Sequence, residues 1–221
     1  MPLGSGTQLF AVDKNQVVYA LLYRRGLLRV DARNPAQARV FGAEDGINDT
    51  VNGIALAEDG SVWFTFGTRL AHIAAGSSAV EVDNQIQLPK DRVIALVWDG
   101  TGTLWLRSAT KVARLDTVAH KVIEEETVIG LADEEEGRPV LDQSGRLLVP
   151  SSTGLWWQGE SGEWRVITDK EGITSNDVEF ALEDREGTLW VGGSGTGLDR
   201  LPGVRAWSDW TTAEGLPDNS T

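Results

Sequence analysis

The 221-residue chain contains no cysteine, two histidines and one methionine. The first absence removes disulfides, thiolate metal sites and thiol nucleophiles, and it leaves the redox compartment open. With only His72 and His120, set in different repeats, a zinc site lacks ligands, and each histidine reads as a strand-surface residue rather than a catalytic base. No run reaches the roughly 18 apolar residues of a membrane span. Residues 1–6, Met1-Pro-Leu-Gly-Ser-Gly6, lack a basic and an apolar segment and read as a vector-derived leader, which leaves a native export signal open. Positive charge is scarce as well: 20 Lys and Arg against 33 Asp and Glu leave a net charge of -13. That balance argues against a phosphate-tracking surface and against nucleic acid as a partner.

What the chain has is a repeat. Tyr19, Trp63, Trp105, Leu148 and Trp190 fall 42 to 44 residues apart, each behind an Asp-containing turn and ahead of a second apolar strand. In Asp184-Arg-Glu-Gly187 and Asp99-Gly-Thr-Gly102 the Asp carboxylate is suited to accept a backbone N–H within the turn, and Gly supplies the positive φ that reverses the chain. The next strand carries large residues on both faces, as in Thr103-Leu-Trp105-Leu, which is the pattern of a sheet covered on both sides. A third strand (Gly197-Leu-Asp-Arg200-Leu201) and a more polar fourth (Trp164-Arg-Val166-Ile167) complete the unit. Linkers such as Glu44-Asp-Gly46, Glu171-Gly172 and Glu214-Gly-Leu-Pro217 connect the copies.

This period and content predict an all-β chain: a β-propeller of five four-stranded antiparallel blades, at about 7–49, 50–91, 92–134, 135–176 and 177–221. Either the five close into a ring or they form a segment of a larger propeller. Recurrence places Trp63, Trp105 and Trp190 in the packing between blades, whereas Trp98, just ahead of a turn, is the best candidate for an exposed aromatic.

The pattern Phe180-Ala-Leu182, Asp184, Gly187, Leu189-Trp190-Val-Gly192, Gly197-Leu198, Arg200-Leu201 and Glu214-Gly-Leu-Pro217 resembles the two-component regulator propeller repeat. The resemblance covers residues 7–221. It implies the sensor region of a membrane signalling receptor on the periplasmic or extracellular side, with an output kinase or cyclase domain elsewhere in the full-length protein. In many such receptors the propeller recognises carbohydrate, which makes a small polar ligand such as an oligosaccharide the implied partner. Further blades or self-association at an open seam are expected partners as well. Blade four departs most, with Leu148 for Trp and Val149-Pro150 for Val-Gly.

Within a propeller, the turn between second and third strands and the linker into the next blade emerge on one face. That face carries Arg24, Arg25, Arg69 and Lys111 on turns, with Lys90, Arg92 and Asn176 on linkers, and Ser152 and Ser194 in the later blades. On so acidic a chain this is a local inversion of sign, and these residues are the expected ligand-binding set. No catalytic residue, metal or cofactor is expected. Glu124-Glu-Glu126 and Asp133-Glu-Glu-Glu136 read as solvated acidic runs rather than glycosidase or calcium carboxylates. Two rival readings remain. Asp59-Gly-Ser-Val-Trp-Phe-Thr65 looks like a segment of streptogramin lyases, and a scaffold propeller would take another protein as ligand.

Overall fold

A computed structural model describes residues 10–91, 93–127, 137–159, 162–193 and 195–202. The Asp-Gly turns fold the chain into antiparallel meanders. Blade one comprises β1 (Phe10–Val12), β2 (Val17–Leu22), β3 (Gly26–Asp31) and β4 (Arg39–Phe41), paired in chain order. Blade two comprises β5 (Val51–Leu56), β6 (Val62–Phe66), β7 (Arg69–Ile73) and β8 (Glu81–Asp83). Blade three comprises β9 (Val93–Trp98), β10 (Thr103–Ser108), β11 (Lys111–Asp116) and β12 (Lys121–Thr127). Blade four comprises β13 (Val140–Leu141), β14 (Leu147–Ser151), β15 (Gly154–Gln158) and β16 (Trp164–Ile167). Blade five is described for β17 (Val178–Glu183), β18 (Leu189–Gly193) and β19 (Gly197–Leu201); the expected fourth strand at Arg205–Ser208 lies outside the described residues. The chain is a β-propeller array of five antiparallel sheets.

The turn between the first two strands has the same backbone closure in every blade and the same Asp acceptor in four of the five. Asp13 Oδ1 accepts the amides of Asn15 and Val17 at 2.8 Å each, and Asp142 Oδ1 those of Ser144 and Arg146 at 2.7 and 2.9 Å. Asp99 and Asp184 repeat this double acceptance. The blade-two turn has the same length, not the shorter one its sequence suggests, but Ala57 stands at the Asp position, and Asp59, two residues on, accepts the amide and hydroxyl of Ser61. Each carboxylate therefore satisfies backbone donors that a tight reversal would orphan.

The anchor residue alternates with its neighbours across each sheet, so each blade has a rear face bearing the anchor and a front face bearing the residues on either side of it. Tyr19, Val17 and Leu21 on the rear of blade one pack on Val62, Phe64 and Ile73 on the front of blade two. Trp63 and Ala55 then meet Leu104, Leu106 and Leu115 of blade three. Trp105 and Val112 meet Leu147 and Val149 of blade four, and Leu148 with Leu155 meets Leu189 and Val191 of blade five. Rear meets front at all four interfaces. The substitution of Leu148 for Trp keeps the anchor buried at 3 % exposure.

Trp98 corrects the sequence expectation. It ends β9 half-buried, and its indole is stacked 6.5 Å from Trp63 at 15°, while His72 also stacks on Trp63 at 4.5 Å and 22°. Its position ahead of a turn is also a position beside the neighbouring blade's anchor.

Two substitutions separate packing from turn chemistry. Trp105→Ala is expected to cost about 3–5 kcal/mol through a cavity between blades three and four. Asp142→Ala, which strands two amides and the Arg146 guanidinium, is expected to cost about 1–3 kcal/mol. Denaturant unfolding checks both, and a loss under ~0.5 kcal/mol at Trp105 would remove it from the interblade core.

Candidate functional site

Turns between second and third strands do lie against the linkers. The Gly67 amide donates to the Thr50 carbonyl at 3.1 Å. Gly26 has φ +107, and a Cβ there would sit 1.9 Å from the Phe41 carbonyl oxygen; Gly154 has φ +131 and would meet the Ile167 carbonyl at 2.5 Å. Only glycine lets the turn approach the chain leaving the blade so closely.

Blade three shows the junction most fully. Asp91 Oδ2, on the incoming linker, accepts the Ser108 hydroxyl at 2.6 Å, the Thr110 amide at 3.1 Å and the Thr110 hydroxyl at 3.0 Å. Burial works to raise the Asp91 pKa, but these hydrogen bonds outweigh it and hold the carboxyl below its usual range. In the corresponding junctions the Asp49 carboxylate lies beside Gly67, whereas it is the Asp177 backbone carbonyl that lies beside Gly193. The sequence reading missed this linker carboxylate, although its recurrence at the repeat period was a usable signal.

On this acidic support sit the cations. Arg24, with φ 54, lies over the Tyr23 ring at 5.1 Å, and Tyr23 itself is exposed. Arg24, Arg25, Arg69 and Lys90 are exposed. Among the described residues none of these four ion-pairs with a carboxylate. Lys111 differs: it begins β11, and its ammonium ion-pairs with Glu125 on β12, which holds its pKa above the usual value. Asn176 is engaged in the linker, its Oδ1 accepting the Asp169 amide at 2.7 Å and its Nδ2 donating to Asp169 Oδ1 at 3.2 Å. Ser152 and Thr153 are exposed on the blade-four turn. Arg92, Ser194 and the run Asp133–Glu136 lie outside the described residues.

The histidines belong to the other face. His72 on β7 stacks on Trp63, and Glu81 of β8 is 3.8 Å from its Nε2. His120, at φ 52 in the turn between β11 and β12, places Nδ1 2.7 Å from Asp83 Oδ2 at the end of β8 in blade two. Burial works to raise the Asp83 pKa, and His120 together with the Ile86 and Gln85 amides brings it below its usual value. His120 and Asp83 thus fasten blade three to blade two at the outer edge. Among the described residues no group of three or more His, Asp or Glu is arranged to hold a metal ion, and no helix is long and apolar enough to cross a membrane.

No protein-family model matches the chain, and no curated protein matches it in sequence. Solved structures match its fold. The extracellular domain of a protein described as the one component system BT4673 of B. thetaiotaomicron superposes with a TM-score of 0.69 at 16% identity, over 88% of this chain and 27% of that one. The extracellular domain of the hybrid two component system BT3049 of the same organism gives 0.68 at 14%, over 99% of this chain and 31% of that one. Virginiamycin B lyase from Staphylococcus aureus gives 0.67 at 12%, over 87% and 68%. The chain thus spans under a third of the length of the two signalling domains it matches, and the propeller fold they share also serves enzymes.

The hydrogen-bonded carboxylates make stability pH-dependent. Asp59, Asp91 and Asp184 are all held below 3.8 in the folded chain. A depressed folded pKa means that the unfolded chain takes the proton first as pH falls. Their contribution is therefore present above the unfolded value and is lost as pH drops through the folded ones. The thermal midpoint is expected to hold from neutral pH to about pH 5 and to fall steeply below about pH 4. A midpoint flat to pH 3 would contradict the assignment.

Proposed function

We propose that the chain is a non-catalytic ligand-sensing propeller on the extracytoplasmic side of a bacterial signalling receptor. Its ligand in this reading is an anionic or polar carbohydrate held on the turn-and-linker face. The observation that carries the proposal is the set of exposed cations without carboxylate partners among the described residues, Arg25, Arg69 and Lys90, on adjacent junctions of a chain with net charge -13. The fold likeness to two extracellular signalling domains supports the receptor context.

Arg25 and Arg69 supply planar forks suited to a carboxylate or sulfate group. Tyr23, exposed beside Arg24, offers a ring face for the apolar side of a sugar. Lys111 and Asn176 are proposed as second contacts. Lys111 reaches a ligand carboxylate by exchanging Glu125 for it, and Asn176 does so through whatever valence Asp169 leaves it. The linker carboxylates Asp49 and Asp91 shape the turns beneath and repel a ligand that does not engage the cations. Output then passes to a kinase or cyclase domain of the full-length receptor.

The lyase reading rests on the Asp59–Thr65 segment and on the fold likeness to virginiamycin B lyase. In this chain that segment builds the turn between β5 and β6 and most of β6, where Asp59 is committed to Ser61 and His72 is stacked on Trp63. The sensor reading is therefore preferred.

Charge reversal tests the site. Arg25→Glu with Arg69→Glu is expected to weaken binding of an acidic oligosaccharide, such as an oligogalacturonate, by at least about tenfold, and binding is expected to weaken with salt. Undiminished binding by calorimetry would reject the site, while binding to neutral glycans alone would reject the anionic ligand.

A further inference from the structure

Lys111 is pinned at its backbone and open at its tip. Its amide donates to Ser108 Oγ at 3.1 Å, and that buried hydroxyl in turn donates to Asp91 Oδ2 at 2.6 Å. The Lys111 backbone is thus tied through one serine to the incoming linker. Its side chain is a compact ammonium on a flexible four-carbon stem, which can reorient while the backbone stays in place. The stem runs across the sheet. β11 and β12 pair Lys111 with Thr127 and Ala113 with Glu125, so Glu125 stands one diagonal step from Lys111 on the same face. Their charged ends ion-pair, with 36 and 39 % of the two side chains exposed.

This pair sets Lys111 apart from its neighbours. Among the described residues Arg24, Arg25, Arg69 and Lys90 ion-pair with no carboxylate, whereas Lys111 already holds an anion. Glu125 holds the Lys111 pKa above its usual value, and Asp91 adds to it from the linker. A pair this open to water is weak and screened by salt, so a ligand carboxylate or sulfate can take Glu125's place. A neutral sugar hydroxyl cannot, because an ammonium binds an ionised acceptor roughly twice as strongly. The displaced Glu125 returns to water, and no buried charge is left unpaired.

We infer, on the ligand reading proposed above, that Glu125 is a specificity-determining residue of the turn-and-linker face: it occupies Lys111 as a resident anion, and a ligand gains the blade-three junction only by bringing an anionic group that displaces it. Arg25 and Arg69 meet a ligand directly. Lys111 gives up Glu125 to an acidic ligand and keeps it against a neutral one. Specificity of this kind acts against the wrong ligand as much as for the right one. Glu125 touches no ligand itself. It acts through Lys111, and it holds the affinity for an acidic ligand below what a free ammonium at that position would give.

Calorimetry with an oligogalacturonate on the full chain tests this with Glu125→Gln, Lys111→Gln and the two combined, each checked for the wild-type fold by circular dichroism. Glu125→Gln is expected to tighten binding by about three- to tenfold, because the ammonium is free before the ligand arrives. The gain is expected to vanish in the Lys111→Gln background, since the two residues form one unit. A ligand-free measurement stands beside it: the pKa of the Lys111 ammonium, followed by NMR of 13C-labelled lysine, is expected to fall toward its usual value in Glu125→Gln. Unchanged or weaker binding by Glu125→Gln would overturn the inference. So would a gain that survives without Lys111, which a general loss of negative charge would produce, or a Lys111 pKa that does not move. If Arg25→Glu with Arg69→Glu weakens binding while Glu125→Gln brings no gain, the role of Glu125 is rejected and the ligand reading stands. No binding by the wild type or any variant rejects both.

Discussion

Every sheet in this molecule has two apolar faces, and neither can be left to water without losing the free energy that holds the fold. A blade with Trp105 and Val112 behind and Leu104 and Leu106 in front is not a stable unit by itself. It needs a front face to cover its rear and a rear face to cover its front, at roughly 25 cal/mol per Å² of apolar surface removed from water. The repeat follows from that requirement. The Asp-capped turn sets the strand spacing, the glycines let the next turn approach the linker, and the anchor residue fills the seam. Leu148 meets the same requirement where an indole is missing.

That constraint also divides the surface by role. The first-turn face is consumed by structure: Asp59 and Asp184 are committed to backbone amides, His72 to a stack on Trp63 and His120 to Asp83 of the neighbouring blade. On the opposite face the backbone is secured from beneath by linker carboxylates such as Asp91, which leaves the turn side chains above them free to vary. Arg25, Arg69 and Lys90 occupy that layer without ion-pair partners among the described residues. Lys111 shows how quickly a nearby carboxylate on the outer strand neutralises such a cation.

The fold was legible because its determinants recur: Asp, Gly and an aromatic at a fixed period leave few architectures. Features that depend on two blades meeting were less legible. Trp98 looked exposed along its own chain, since only the neighbouring blade supplies the Trp63 ring it stacks on. Glu125 lies 14 residues from Lys111, and their meeting depends on the register of β11 against β12, which shifts at Arg114 and Leu115. Asp49, Asp91 and Asp177 did repeat, but a linker read as irregular chain hides the fact that its carboxylate or carbonyl is aimed at the next turn. The placing of the expected cations on turns and linkers follows from the sequence, while their charge balance emerges only from the three-dimensional arrangement.

The central claim is that ligand recognition belongs to the turn-and-linker face and structure to the other. Backbone amide shifts in a 15N-labelled sample titrated with an acidic oligosaccharide test it most directly. The account predicts saturable perturbations at Tyr23–Arg25, Gly67–Arg69 and Thr110–Lys111, with Asp13–Gln16, Asp99–Gly102 and Thr117–His120 unmoved. Perturbations concentrated at the Asp turns or around His72 and His120 would contradict it.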